Sequence, residues 1–260
     1  MSVQLHFYQD SALAFSRSHN SNPHAHLALQ LTLGLEAEFE VFMPDVQGHM
    51  HSRWVHFACF APETPHFIPT ADVELAYLYL EQNPFSYDTW RASGGSPREP
   101  SAELRTALLE FRRTGFKDRQ RAFELAQQWR AQSLPGLTRS APSDPRIAAV
   151  VDHLDAHPLE AHTHVTLARL VHLSPSRFAH LFREQLGLPV RNYLLWRRLV
   201  YALSRLQQGQ SITTAAYESG FSDGAHLCRS FRSVFGAMPT DLHVERLQVV
   251  PNLRLAAVAS

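Results

Sequence analysis

The C-terminal half of the chain contains the same short pattern twice, and this repeat restricts its fold more than any other feature. The copies share an alanine, a turn residue four positions later, a serine two positions after that, and a phenylalanine–arginine pair. These residues are Ala168, His172, Ser174 and Phe182-Arg183 in the first copy, and Ala216, Gly220, Ser222 and Phe231-Arg232 in the second. Alanine lets two helices cross closely, and the turn position requires a positive φ, which glycine adopts freely and histidine tolerates. Each copy therefore predicts a helix, a tight turn and a second helix.

The segment between the copies predicts a linking helix over residues 190–208. Such a helix would be roughly 28 Å long at 1.5 Å per residue. Adjacent major-groove faces recur roughly every 34 Å along B-DNA. One chain could therefore place both second helices in successive grooves on one side of a duplex.

The charge distribution fits a DNA partner better than the net charge of zero does. Residues 1–90 hold two basic and ten acidic side chains, whereas residues 91–143 hold ten basic and five acidic ones. Residues 144–243 hold ten basic and eight acidic ones. Six arginines lie within residues 176–205, where Glu184 is the single acidic residue. Basic charge is thus concentrated where the repeat predicts DNA contacts, although such a cluster can also be an ordinary solvated face.

Residues 144–243 resemble the AraC/XylS family of bacterial regulators. The resemblance rests on these residues: Thr166-Leu167-Ala168, Ser174, Phe178, Phe182-Arg183, Gly187, Tyr193, Arg198-Leu199, Ala202, Ser211-Ile212, Ala215-Ala216, Gly220-Phe221-Ser222-Asp223, Phe231-Arg232, Phe235-Gly236 and Pro239. It implies two helix-turn-helix subdomains bridged by a long helix and acting at promoters. The chain departs from the family pattern at Val171, His172 and His180.

The second helix of each unit, residues 175–184 and 223–234, is expected to face DNA. The predicted DNA-binding residues are Ser174, Ser176, Arg177, His180, Arg183, Ser222, Ala225, His226, Arg229 and Arg232. Arginine can donate two hydrogen bonds to guanine O6 and N7. Arg229 is predicted to be the main base reader, with a phosphate contact as the alternative, and Arg177 and His180 take this task in the first helix. Hydroxyls and N–H groups at helix starts such as Ser174 suit phosphates.

The chain is predicted to be an α+β multidomain protein. Short apolar runs broken by prolines indicate a β-rich unit over residues 1–90, and this unit resembles a small cupin-like β-barrel that binds an effector. Residues 91–143 are predicted to form a linker and a helical pair, at 102–113 and 118–132, that serves as an interdomain prop or a dimer surface. The all-α tandem helix-turn-helix bundle over residues 144–243 follows, and residues 244–260 are expected to be a tail.

The effector pocket is predicted at His24, His26, Gln30 and His66. On a strand, His24, His26 and Gln30 point to one face. Three interpretations remain open: the histidines line a ligand pocket, bind a metal, or are structural. Cupin enzymes hold their metal with histidines and a carboxylate, and Gln30 stands at the apparent carboxylate position. We therefore predict no metal and no cofactor.

The sequence predicts a sequence-specific transcription regulator rather than an enzyme, with double-stranded promoter DNA and a small-molecule effector as partners. RNA polymerase and a second copy of the chain remain open as further partners. Two cysteines far apart, no apolar run long enough to span a bilayer and no signal peptide predict a cytoplasmic protein without membrane contact. The alternatives are a metal-dependent cupin enzyme fused to a DNA-targeting module, and an architectural DNA binder that is indifferent to sequence.

Overall fold

A computed structural model describes residues 3–17, 23–45, 47–69, 73–81, 87–138, 142–157, 160–235 and 242–250. Gly236 and Pro239, which contributed to the family resemblance, lie outside these residues. Strands occupy the N-terminal part of the chain and helices follow, so the predicted α+β class is confirmed. None of the described helices combines the length and the apolar character needed to cross a membrane.

Among the described residues, seven strands precede the first helix and an eighth follows the last. They are β1 (Val3–Tyr8), β2 (Ser11–Arg17), β3 (Leu29–Gly34), β4 (Phe39–Pro44), β5 (Met50–Val55), β6 (Phe57–Phe60), β7 (Glu74–Leu80) and β8 (Leu242–Val250). Six of them form one sheet in the order β6-β3-β7-β2-β1-β8, and β4 pairs with β5 in a separate hairpin. Apolar runs at residues 27–33, 39–43, 54–60 and 73–80 coincide with β3, β4, β6 and β7, whereas β1, β2 and most of β5 were not predicted.

Alternate residues of the large sheet face two different cores because successive side chains of a strand point to opposite faces. Leu78 and Leu80 of β7 lie in one apolar cluster, and Tyr77 and Tyr79 lie in the other. The first face is covered by helices. They are α1 (Tyr87–Ala92), α2 (Ala102–Glu110), a π-helical turn (Phe111–Gly115) and α3 (Arg119–Ser133).

The predicted helical pair is present, and its apolar stripes pack against the sheet. Leu108 of α2 and Trp129 of α3 are fully buried against the sheet. An apolar stripe buried in this way is not available to a second chain, and it forms one core with the strands. Residues 102–133 thus pack as part of the N-terminal unit.

The described residues after 144 contain six helices. They are α4 (Pro145–Ala156), α5 (His164–Leu170), α6 (Pro175–Leu186), α7 (Val190–Gln207), α8 (Ile212–Glu218) and α9 (Gly224–Phe235). Asp144 caps α4 and Pro145 occupies its first position, a combination that favours a helix start. Thr163 is the N-cap of α5, and Thr166 completes its capping box.

Strand β8 changes the expected end of the chain. It runs parallel to β1, with Leu247 opposite Leu5 and Val249 opposite Phe7. Residues 244–250 are therefore part of the sheet rather than of a tail. Residues 251–260 lie outside the described part of the chain.

The second helix-turn-helix unit shares its core with the second face of the sheet. Trp196 of α7 and Phe235 of α9 lie with Phe7 of β1 in one apolar cluster. The ring centroid of Phe7 lies 5.0 Å from that of Trp196 and 5.5 Å from that of Phe235. The strand-rich and helical parts of the chain are thus in direct apolar contact.

Candidate functional site

Helix α6 presents one buried and one exposed face. The Ser174 side chain accepts a hydrogen bond from the Arg177 N–H, and Pro175 occupies the first helical position. Phe178 and Phe182 are fully buried. The predicted DNA-facing residues of this unit are all exposed: Ser174, Ser176, Arg177, His180 and Arg183. The helical period therefore separates the core residues from a cationic, solvent-facing surface.

The turns before the two second helices have the backbone conformation that the repeat predicts. His172 has a φ of 54° and Gly220 a φ of 78°, both in the left-handed region. A Cβ built on Gly220 would lie 3.5 Å from Arg198 Nε, which is ordinary contact. The half-buried Arg198 guanidinium is thus placed against the second turn, and burial lowers its pKa.

Helix α9 begins with a local network of hydrogen bonds. The Asp223 carboxylate accepts from the His226 backbone N–H at 2.6 Å, and His226 Nδ1 accepts from the Ser222 N–H at 3.3 Å. The bond from the His226 N–H holds the pKa of Asp223 below its usual value, with smaller contributions from Ser222 and Arg229. Ser222 and His226 thus have a structural role at this helix start.

The other predicted DNA-binding residues of α9 lie on the solvent-facing side of the helix. Ala225, Arg229 and Arg232 are not buried, and His226 is also accessible. Leu227 and Phe231 are buried on the opposite side. Both second helices therefore carry accessible arginines on the faces that the sequence predicts.

Helix α7 joins the two units. Its 18 residues correspond to about 27 Å. Phe182 of α6 packs against Tyr193 near the start of α7, with ring centroids 5.4 Å apart. Phe235 of α9 packs against Trp196 at 5.6 Å, and these two pairs belong to different apolar clusters. The helices α6 and α9 are therefore not buried against each other.

Arg197 of α7 is placed in an internal ion network instead of on a DNA-facing surface. Its guanidinium lies 3.0 Å from Asp155 Oδ1 and 3.5 Å from a Glu81 carboxylate oxygen, and all three side chains are 4% exposed. It also donates to the Gln9 backbone oxygen at 3.2 Å. Burial disfavours the cation, but the two carboxylates and the Tyr193 hydroxyl offset this and raise the pKa of Arg197. The network joins the sheet to α4 and α7.

The structure brings the predicted pocket residues together. The ring centroid of His24 lies 5.6 Å from that of His26 and 4.6 Å from that of His66. His26 Nε2 is 2.7 Å from Gln30 Oε1, and the Gln30 amide donates to Thr32 Oγ1 at 2.8 Å. One nitrogen of each of the three rings lies within 4.8 Å of the others, so the set could approach a metal ion.

Burial favours the neutral form of His26 and His66. It lowers the pKa of His26 to about 4 and that of His66 to about 3. His66 Nδ1 donates to the Thr64 oxygen at 2.9 Å, and its Nε2 is buried without a hydrogen-bond partner among the described residues. An unpaired buried nitrogen costs roughly 1–3 kcal/mol, which a bound polar group would recover.

A small cavity adjoins these histidines and ends at the second recognition helix. Its lining residues are His24, Gln30, His66, Ile68, Tyr77, Tyr79 and Phe235. The space is about that of one water molecule. The Tyr79 hydroxyl donates to the Phe235 oxygen at 3.3 Å, and the two rings meet edge to face at 5.0 Å. The pocket and the last residue of α9 are therefore in contact.

Comparisons with known proteins agree with the helical part of this description. A family model described as a helix-turn-helix domain matches residues 167–243. The arabinose operon regulatory protein of Salmonella typhimurium is 32% identical over 102 residues, which are 38% of this chain and 36% of that protein. The transcriptional activator RhaS of Pectobacterium carotovorum is 40% identical over 70 residues, or 26% of this chain and 25% of that protein. Residues 167–243 are a helix-turn-helix domain of the AraC type.

The likeness to curated relatives covers only part of this chain and of each relative. The chain spans about a third of the length of the arabinose regulator that it matches. Among solved structures, the match to ToxT from Vibrio cholerae covers 96% of this chain and 98% of that one, with 11% identity and a TM-score of 0.45.

Four residues that line the pocket were not predicted from the sequence: Ile68, Tyr77, Tyr79 and Phe235. Tyr77 and Tyr79 are two positions apart on β7 and therefore face the same side, so their spacing was a usable signal. Phe235 carried no such signal, because as a core residue of the AraC-type domain it contacts the pocket only through tertiary packing.

Proposed function

We propose that this chain is a sequence-specific DNA-binding transcription regulator whose promoter binding responds to a small molecule in the N-terminal pocket. One observation carries the proposal: two helix-turn-helix units are joined by α7, each with accessible arginines on its second helix. The length of α7, about 27 Å, is comparable with the roughly 34 Å between successive major-groove faces of one duplex. The regulator function of the arabinose relative agrees with it.

Within this proposal, Arg229 reads a base and the first helix reads through Arg177 and His180. Arg183 and Arg232 are close to phosphates, and Ala225 allows near approach to the groove. The exposed hydroxyls of Ser174 and Ser176 bind phosphates. The Ser222 hydroxyl also binds a phosphate when it is released from its contact with His226. His226 contributes through Nε2, because its Nδ1 already accepts from Ser222.

The test is a selection of bound sequences from a random DNA pool, followed by binding measurements at fixed salt. Arg229→Ala should weaken binding to the best site by about 1–3 kcal/mol and relax the preference at one base. Arg121→Ala is the matched control, since it removes an accessible arginine from α3 with the same change in net charge. Equal affinities of the Arg229→Ala variant and the parent for the best site would remove Arg229 as a base reader.

The effector is proposed to act through Phe235. Pockets for small molecules usually have volumes of about 300–1,000 Å³, whereas the present space holds about one water molecule. A ligand must therefore move part of the lining, and Phe235 belongs both to that lining and to α9. Ligand binding and the position of α9 are then linked, which is what allosteric control of DNA binding requires. Neutral histidines and tyrosine hydroxyls among aromatic rings suit a partly polar compound.

We further propose that the protein works in the cytoplasm, is not an enzyme and needs no metal for DNA binding. Residues 3–138 with β8 form the effector unit, and residues 144–235 form the DNA-binding unit. RNA polymerase and a second copy of the chain are candidate partners at the promoter. An architectural binder would instead bind its best site and bulk DNA with a ratio near one.

A metal-dependent cupin enzyme is the second candidate, because the nitrogens of His24, His26 and His66 lie within 4.8 Å of one another. The donor set fits a metal poorly. Gln30 is neutral and its amide is already hydrogen-bonded to His26 and Thr32. Stoichiometric iron or manganese that is lost on His66→Gln would favour the enzyme.

A further inference from the structure

A second cluster of potential metal-binding side chains lies at the C-terminal end of α4. His153 lies in the last turn of α4, and Glu160 and His162 lie in the loop before α5. One ligand atom from each lies within 4.8 Å of the others. The ring centroids of His153 and His162 are 5.3 Å apart. Their positions along the chain, seven and two residues apart, follow no common metal motif, and the helix end is what brings them together.

The His162 ring is oriented by a hydrogen bond to a backbone oxygen. His162 Nε2 donates to the His157 oxygen at 3.2 Å, which leaves Nδ1 with a free lone pair. The neighbouring His157 donates from Nδ1 to the His153 oxygen at 2.8 Å, and its ring centroid lies 4.4 Å from that of His153. Histidines that bind metals usually donate their other N–H to a carbonyl or carboxylate, which fixes the tautomer.

We propose that His153, Glu160 and His162 bind one Zn²⁺ ion. Two imidazoles and one carboxylate are a ligand set that zinc accepts, with water completing a tetrahedron. Zinc–ligand distances of about 2.0–2.2 Å place ligand atoms about 3.3–3.5 Å apart, so the three side chains must close by about 1.5 Å at most. Glu160 is exposed and His153 is half-buried, which leaves them room for this movement.

The bound ion would tie α4 to the segment that leads into Thr163, the N-cap of α5, and so brace the first helix-turn-helix unit.

The experiment titrates Zn²⁺ into the full chain without a histidine tag, by calorimetry and by thermal shift. We expect one equivalent to bind at this cluster and to raise the Tm, because a ligand that binds only the folded state stabilises it. Glu160→Gln, at an exposed position, should weaken this binding at least about tenfold and abolish its share of the Tm rise. His162→Gln should do the same. His164→Gln is the matched control, since it changes an exposed histidine next to the site.

The His66→Gln variant distinguishes Zn²⁺ binding at this cluster from binding at the pocket histidines. It removes one histidine of the pocket and leaves His153, Glu160 and His162 unchanged. The proposal holds if Glu160→Gln loses an equivalent that His66→Gln retains. It is overturned if the parent binds no Zn²⁺ at micromolar concentration, or if Glu160→Gln and His162→Gln bind like the parent. It is also overturned if His66→Gln alone removes all binding.

Discussion

Replacing Arg197 by methionine should destabilise the whole chain, because its ion network joins the sheet to the DNA-binding helices. The guanidinium lies 3.0 Å from Asp155 and 3.5 Å from Glu81, with every side chain 4% exposed. Methionine fills a similar volume but leaves two carboxylates buried without this cation. Removing one partner of a buried ion pair costs about 3–5 kcal/mol, since the remaining charge is uncompensated.

Urea unfolding followed by tryptophan fluorescence measures this loss, because Trp196 is adjacent to Arg197 in the chain and is buried in the shared core. At about 2–4 °C per kcal/mol for a chain of this size, the Tm should fall by roughly 6–20 °C. Arg191→Met is the control, as it removes an exposed arginine from the same helix. Its effect should stay within about 0.5 kcal/mol.

A combined variant tests the physical reason. Adding Glu81→Gln and Asp155→Asn to the Arg197→Met variant neutralises both carboxylates, and it should recover much of the loss because neither charge is then left buried. The reasoning is refuted if Arg197→Met costs less than about 1 kcal/mol. It is equally refuted if the triple variant is no more stable than Arg197→Met alone.

Three further predictions concern single positions. His6 is fully buried between two aromatic rings, and neither of its ring nitrogens has a hydrogen-bond partner among the described residues. His6→Leu should therefore raise the free energy of unfolding by about 1–3 kcal/mol, measured by urea titration at pH 6. Burial lowers the pKa of His66 to about 3, below its unfolded value of 6.5, so its contribution to stability is full above pH 6.5 and falls as the pH decreases towards 3. His66→Gln should flatten that part of the stability–pH curve, and an unchanged curve would contradict the assignment. Gly220→Ala should lower the free energy of unfolding by about 1–2 kcal/mol in thermal unfolding, because residue 220 has a φ of 78°. His172→Gly should leave the free energy of unfolding unchanged or raise it slightly. Equal losses of stability in the two variants would refute the argument from backbone conformation.

The helical part of the fold was predictable because its signals are local. Asp144-Pro145 and Ser174-Pro175 combine an N-cap with proline at the first helical position, and the structure has both. The left-handed conformation of His172 followed from its alignment with Gly220. Buried and exposed faces of α6 then followed from the helical period.

The missed features depend on contacts between distant residues. The pairing of β8 with β1 has no local signal, since a parallel neighbour can come from any part of the chain. Arg197 resembles any other arginine of the basic stretch until Glu81 and Asp155 are placed around it. The same holds for Phe235, whose contact with Tyr79 joins residues from the two units.

The parallel pairing of the last and first strands has a consequence for how the protein is made. As the chain leaves the ribosome, β1 and β2 can pair at once, yet the outer side of β1 must wait for β8, which is synthesised only after the whole helical region. An open strand edge is a template for association with other chains. Truncation after α9 should therefore yield a protein that aggregates during expression even though both helix-turn-helix units are intact.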